Sequence, residues 1–512
     1  ADVDVMKDRI QHGANLLENH VFQFDFLNDD FSMLPDGLQN IINDEKKRKK
    51  LVIFINPPYA EGDNVRGIGR KNVQISKIHE KYQKVIGKSS GEIFAQFFIR
   101  IFCEISNAYL AEFSTLKILQ APNFEIFRNI FVAKLKKMFI IPANTFDNVN
   151  GQFPIGFMVW DTCKKEKFAE MLADIYDKDG KFSEQKNIVN YDGNKYISDW
   201  LEINSKKISK NFIGHLASVG NDFQNQRMLF IDDVNAKRKK GGRHTMITEE
   251  NLIVASIYFA VRKVVPATWL NDRDQFLYPN DGWKTDLEFQ NDCLAYTLFN
   301  NNIQSRYGVN HWIPFTEYAV GAKEKFESSF MFDFISGKRE EPVVSEPLLF
   351  YDGKEYGGGG TDGDDDPVGA DLRVCPYYAD TNTAPMKREF SETARLVFKA
   401  GLDLWKYYHA QKFSANVAFS STSLTERKRD GYNVNVAFSS TSLTERKRDG
   451  YNVNASLYDI REHFQGRNEK GTMNSKSTDE KYNELIENLR LAVKLLAKKI
   501  GYKVYEYGFL IN

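Results

Sequence analysis

The chain has 512 residues, enough for two or three domains, because a single apolar core stops growing at roughly 250 to 300 residues. Lys plus Arg equals Asp plus Glu, 69 of each, so no overall basic field draws the protein to nucleic acid, and any phosphate contact has to come from local patches. With 42% hydrophobic residues, 39 Phe and 24 Tyr, the composition excludes global disorder.

The four cysteines, Cys103, Cys163, Cys293 and Cys375, lie far apart, as do the eight histidines. No pair has the short spacing of a zinc or redox site, so no metal is expected. No run approaches the roughly 18 to 20 apolar residues of a membrane helix. The first residues also lack a basic stretch followed by an apolar one, so the expectation is a cytoplasmic protein with no membrane partner.

In chain order, "HVFQFDFLNDDF" (His20 to Phe31) alternates apolar and polar residues up to a cluster of acids, which predicts a half-buried strand ending in a loop. "LPDGLQNIIN" predicts a turn and a short helix, and the charge run Asp44 to Lys50 a solvated approach to the next element. Leu51 to Ile55 form a short continuous apolar run, the pattern of a strand buried on both faces of a parallel sheet. Asn56-Pro57-Pro58-Tyr59 then falls at that strand's carboxyl end, where open α/β sheets place their ligands.

Helical periodicity follows over Gly91 to Ile105, and strands are expected at Met138 to Ile141 and Phe153 to Trp160, separated by a polar loop. Strand, loop, helix and strand in succession indicate a doubly wound α/β sheet. From about Lys164 to residue 410 that rhythm gives way to a mixed region, read as a second domain.

"YGGGGTDGDDDPVG" (Tyr356 to Gly369) is read as an exposed loop, since Asp362, Asp364, Asp365 and Asp366 lack the distal bidentate Glu of a calcium loop. "NVAFSSTSLTERKRDGYNV" occurs at Asn416 to Val434 and again without change at Asn435 to Val453; two copies are too few for a solenoid, so a duplicated surface segment is expected. Ser477 and Glu480 form a capping-box pattern ahead of an amphipathic helix (Tyr482, Leu485, Ile486, Leu489, Val493, Leu496, Ile500) that is expected to stop at Gly501.

The two prolines stiffen the loop after Ile55. The Asn56 amide oxygen and the Pro57 carbonyl are two acceptors that suit the hydrogens of an exocyclic amino group, and Tyr59 offers a flat face for a planar ring. A plain strand-to-loop turn uses the same residue types.

With this motif the chain resembles the adenine-N6 DNA methyltransferases of bacterial restriction-modification systems, whose catalytic motif is Asn-Pro-Pro-Tyr after a strand. The resemblance covers about residues 1–165. It implies a Rossmann-like S-adenosylmethionine-dependent methyltransferase sheet over 1–165, incomplete at the N-terminus, then a mixed α+β target-recognition domain over 166–410. The repeat segment occupies 411–460 and a C-terminal helical segment 461–512.

The implied activity is methyl transfer from S-adenosyl-L-methionine to adenine N6 in double-stranded DNA, without a metal, on a base flipped out of the duplex. A restriction nuclease subunit is a further partner the resemblance allows. Asn56, Pro57, Pro58 and Tyr59 take the catalytic role. "FDFLND" resembles the segment that contacts the cofactor's adenine, with Asp25 as acceptor and Phe26 as apolar neighbour. Tyr59 and Phe153, the latter in "GQFPIGFMVWD", take target-base stacking. In the recognition region, Asn221, Gln224, Gln226 and Arg227 suit bases, while Lys237, Arg238, Lys239, Lys240 and Arg243 suit phosphates.

The family's glycine-rich cofactor loop has no counterpart before Asn56, and "RGIGRK" (Arg66 to Lys71) lacks its strand context. The expectation is an N-terminally truncated enzyme that binds S-adenosylmethionine poorly by itself. Three alternatives stay open: an inactive or partner-dependent DNA-recognition fragment, a protein-glutamine methyltransferase, and a fused restriction-modification enzyme using Asp36 and the acids of Asp44 to Lys46.

Overall fold

The structure is a computed structural model that describes residues 2–13, 17, 20–57, 75–146, 149, 151–205, 211–235, 242–338, 388–411 and 451–511. The acidic loop at 356–369 and almost all of the repeat lie outside the described residues.

The first unit contains helices α1 (Asp2–Gln11), α2 (Asp36–Ile42) and α3 (Glu45–Arg48), strand β1 (Val52–Ile55), and helices α4 (Lys77–Ile86) and α5 (Ile93–Glu104). Strand β2 (Tyr109–Thr115), helices α6 (Lys117–Gln120) and α7 (Glu125–Ile130), and strands β3 (Ala133–Pro142), β4 (Pro154–Lys165), β5 (Glu170–Tyr176) and β6 (Phe182–Val189) follow. The six strands form one mixed sheet in the order β1-β2-β4-β3-β5-β6. β1 and β2 are parallel (Val52↔Tyr109 to Ile55↔Glu112), and α4 and α5 lie in the connection between them. A parallel pair requires such a crossover. β4 is antiparallel to both β2 and β3, and β5 and β6 extend the same sheet beyond Lys165.

Helices cover one face of this sheet. Phe94, Phe98 and Ile101 of α5 are fully buried against Leu110, Ile140, Met158 and Trp160. The opposite face carries a row of rings, Phe54, Phe113, Phe157, Phe139, Tyr176 and Phe182, whose neighbours lie 4.9 to 6.2 Å apart. The mixed sheet with helices is compatible with a Rossmann-like fold.

Three local expectations are corrected. Residues 20–31 form no strand: the Asp25 carboxylate accepts from Leu27 N (3.0 Å) and Asn28 Nδ2 (2.8 Å), and Asp29 accepts from Asp25 N, so side-chain-stabilised turns win over alternation. β1 is not buried on both faces. It is an edge strand with one neighbour, so Val52 and Phe54 are 60% and 63% exposed while Ile53 and Ile55 pack under the helices. The final helix does not stop at Gly501 but runs to Glu506, because Val504 beyond the glycine is fully buried, and that burial outweighs a glycine cost of about 1 kcal/mol. Its N-cap is Asp479, which accepts from Tyr482 N, while Ser477 Oγ instead donates to the Phe464 carbonyl.

The second unit has a three-stranded antiparallel sheet, β7 (Gly214–Ser218), β8 (Phe230–Asp232) and β9 (Arg243–Ile247), in the order β8-β7-β9. Its helices are α8 (Ile197–Asn204), α9 (Leu252–Val264), α10 (Leu287–Leu298), α11 (Glu317–Val320), α12 (Phe330–Ile335), α13 (Glu392–His409), α14 (Leu457–Gln465) and α15 (Glu480–Glu506). α9 is apolar on all sides and lies at the centre of a core that also takes in α10, α13 and α15. Gly401 of α13 is required there: a Cβ would come within 2.2 Å of the Phe299 ring. The two units are joined by polar ties, with Asp274 accepting from Lys186 Nζ (2.6 Å) and Gln120 Nε2 (3.2 Å).

Candidate active site at the carboxyl edge of the sheet

Asn56 and Pro57 follow β1 at its carboxyl end, with Asn56 exposed and Pro57 buried. Pro58 and Tyr59 lie outside the described residues. Because β4 runs antiparallel to β2 (Thr115↔Ile155), its first residues return to the same edge. Phe153 therefore stands at the edge that bears Asn56, two strand spacings away, or about 10 Å. It is half-buried beside Ile141, Ala143 and Ile155, and its carbonyl accepts from Ala143 N at 2.9 Å.

The Asp25 turn lies beside the same strand. Phe26 and Leu27 share packing with Ile53 and Ile55, and Lys77 N, at the start of α4, donates to Asn28 Oδ1 at 3.0 Å. Arg100 of α5, 4% exposed, fixes the turn from below: its guanidinium donates to the carbonyls of Phe26 and Asp29 (2.8 Å) and lies 4.1 Å over the Phe31 ring. Glu104 accepts from Arg100 Nε, Lys81 Nζ and Tyr82, and those bonds hold its carboxyl below the usual range against its burial. Asp25 is exposed and, as a carboxylate with two hydrogen bonds made, has acceptor capacity left. Phe26 is partly committed, stacked on Phe97 at 5.1 Å.

These residues fit one edge of a purine-bearing cofactor. Among the described residues nothing at this edge matches a glycine-rich cradle for the rest of S-adenosylmethionine, so no step is routed through that group.

Two buried charged residues at this sheet escape motif reading. One is Arg100. The other is Glu112 of β2, fully buried, level with Ile55, which accepts from the Trp160 indole at 3.1 Å while its second oxygen has no hydrogen-bond partner. Burial without a cation pushes its carboxyl up to about 8. The signal available in the sequence was a single charge inside an apolar run, as in "FFIRIF" and "LAEFS".

The acids of the nuclease alternative serve local structure: the Asp44 carboxylate caps α3, accepting from Lys46 N and Lys47 N, and Asp36 begins α2. Among the described residues no group of three or more His, Cys, Asp or Glu could hold a metal ion, and no helix is long and apolar enough to cross a membrane.

The expected recognition residues belong to the second unit. Gln226 donates to the carbonyls of Arg262 and Val265 (both 2.8 Å), Gln224 accepts from Arg273 at 2.7 Å, and Asn221 is half-buried. These amides fasten the loop between β7 and β8, whereas Arg227 is exposed. Arg243 is also exposed, 3.8 Å from Glu202, and Lys237, Arg238, Lys239 and Lys240 lie outside the described residues. The loop is braced against the first unit, since Gln224 N donates to Asp272 O two residues from the Asp274 tie to Lys186.

Comparison with protein-family models and with curated proteins finds no match. Among solved structures, the chain is similar to the Type IIL restriction-modification enzyme MmeI in complex with DNA, at a TM-score of 0.29 and 11% identity, over 49% of each chain. It is also similar to the ATP-dependent Type ISP restriction-modification enzyme LlaBIII bound to DNA, at a TM-score of 0.20 and 12% identity, over 43% of this chain and 18% of that one. Both neighbours are restriction-modification enzymes bound to DNA, and the matched part spans half or less of their length. At TM-scores below 0.5 neither likeness carries an argument about this chain.

Proposed function

We propose that this chain carries the acceptor side of a site-specific DNA methyltransferase that methylates adenine N6 and belongs to a restriction-modification system. The observation that carries the reading is the position of Asn56-Pro57 at the carboxyl end of a strand whose only neighbour is parallel, with Phe153 returned to that same edge by β4. Open α/β sheets bind ligands at that edge.

In this reading Asn56 Oδ1 and the Pro57 carbonyl accept the two hydrogens of the adenine amino group. That contact aims the nitrogen lone pair out of the ring plane and stabilises the positive charge that develops on nitrogen as it attacks. Phe153 and Tyr59 hold the flipped base between aromatic faces. S-adenosylmethionine, when bound, supplies an electrophilic methyl group, and Asp25 accepts from the amino group of its adenine. Arg100 positions Asp25 by fixing the turn. Arg227 and Arg243 make base and phosphate contacts, while Gln224 and Gln226 shape the loop that presents Arg227.

The test is incorporation of labelled methyl from S-adenosylmethionine by the complete gene product. An adenine-containing duplex is compared with the same duplex carrying N6-methyladenine throughout, and with a glutamine-containing protein substrate. The reading expects label only in the unmodified duplex. Label in the protein alone would replace it with the glutamine-methyltransferase reading.

A further inference from the structure

We propose that the second unit holds a binding cavity for an organic cation, a primary ammonium on a short apolar stem, at the open end of the β8-β7-β9 sheet. The proposal does not rest on the methyltransferase reading. The approach to β7, the ends of β8 and β9, the 308–311 loop and residues 327–330 enclose about 740 Å³. Phe212, Ile213, Val309 and Phe330 supply apolar wall. Three carboxylates, Asp233, Glu249 and Glu327, line it, and its lining contains no Lys or Arg.

Asp233 is the anchor. It is 6% exposed, and its Oδ1 accepts from Asn235 N at 2.8 Å. Its Oδ2 makes no hydrogen bond among the described residues, yet it lines the cavity beside Gly308, where a Cβ would approach it to 3.1 Å. A buried carboxylate with one oxygen committed and the other open is costly unless a donor meets it. Burial also pushes its carboxyl up, as expected where no cation is at hand.

One open oxygen suits the point donor of an ammonium rather than the two-pronged guanidinium, which needs both oxygens. Three lining carboxylates repel phosphate, so the cavity is not a nucleotide or DNA-backbone site. A metal is disfavoured by the ligand geometry, since no three acidic, His or Cys side chains among the described residues converge on one point. Such a cation is available as a free diamine or as a lysine side chain of another polypeptide.

The test is calorimetric titration of the full chain with 1,4-diaminobutane and, separately, with an acetylated Gly-Lys-Gly amide. The expected result is saturable one-site binding of at least one probe, weakened about tenfold or more by Asp233→Asn. That variant keeps the acceptor for Asn235 N and is expected to melt with the wild type. Should Asp233→Asn melt lower, Glu327→Gln, on an exposed side chain, is expected to weaken binding about threefold without that change. Tighter binding of the diamine assigns the site to free amines, and tighter binding of the peptide to a polypeptide partner. No saturation by either probe at about 10 mM, binding indifferent to both substitutions, or displacement of the amine by inorganic phosphate would overturn the proposal.

Discussion

Glu112 lies in β2 between the strand that leads to Asn56 and the strand that begins after Phe153, with its carboxyl fully buried and raised from 4.5 to about 8. Below about pH 4.5 the group is protonated both folded and unfolded, and the fold pays no ionisation cost. Between 4.5 and 8 the unfolded chain releases the proton and the folded chain keeps it, so stability falls as pH rises through that window; above it the loss is complete. Each pH unit corresponds to about 1.4 kcal/mol, which puts the cost near pH 7 at about 3 kcal/mol. Glu112→Gln keeps an oxygen for the Trp160 indole and removes the titration, at the expense of amide hydrogens worth about 1 kcal/mol if unmet. The net gain expected near pH 7 is about 2 kcal/mol. Hydrogen exchange of the segments 109–115 and 155–161, compared between variant and wild type at each pH, reads this directly. The protection ratio should grow by nearly tenfold per pH unit from about 5 to 8. A ratio that does not change with pH would refute the reasoning.

Arg100→Lys should loosen the turn over 24–31 by about 2 to 4 kcal/mol in local exchange protection, since a lysine cannot reach two carbonyls and stack on Phe31 at once. Unchanged protection would mean that the turn is held by its own carboxylates. Arg227→Ala should weaken duplex binding with no change in melting, whereas Gln226→Ala should lower the melting temperature, because it removes two hydrogen bonds that fasten the loop. The reverse pattern in paired melting and gel-shift measurements would exchange their roles. Calorimetry of residues 1–512 with S-adenosylmethionine should show no tight binding, and a submicromolar constant would contradict the expectation drawn from the absent glycine-rich loop.

Much of the first sheet was legible because its signals are local. The apolar run before Asn56, the helix over "EIFAQFFIRIF" and the two strands flanking the 143–153 loop all appear where periodicity places them. What sequence could not show was which face each strand would cover. Leu51 to Ile55 reads as doubly buried from composition alone, yet the exposure of Val52 and Phe54 depends on β1 being an edge strand, a property of pairing rather than of sequence. The turn at Asp25 was misread for a different reason: alternation is a backbone-period signal, and short acidic side chains that bond their own main chain override it. In the second unit, residue type alone could not separate an amide that reads a base from one that ties a loop. Gln224 and Gln226 look like base readers, but their partners are protein groups 36 to 49 residues away. The ring row across the sheet was invisible for the same reason, since it draws one residue from each of six strands.

The central claim is that Asn56 is the acceptor that aims an adenine amino group. The most direct measurement is single-turnover methyl transfer to a cognate duplex by the complete gene product, comparing wild type with Asn56→Ala and Asn56→Asp. Loss of the acceptor in Asn56→Ala should slow the methyl-transfer step by about a hundredfold or more with duplex binding unchanged, and Asn56→Asp, which keeps an acceptor oxygen, should retain part of the rate. Equal rates for wild type and Asn56→Ala would contradict the account.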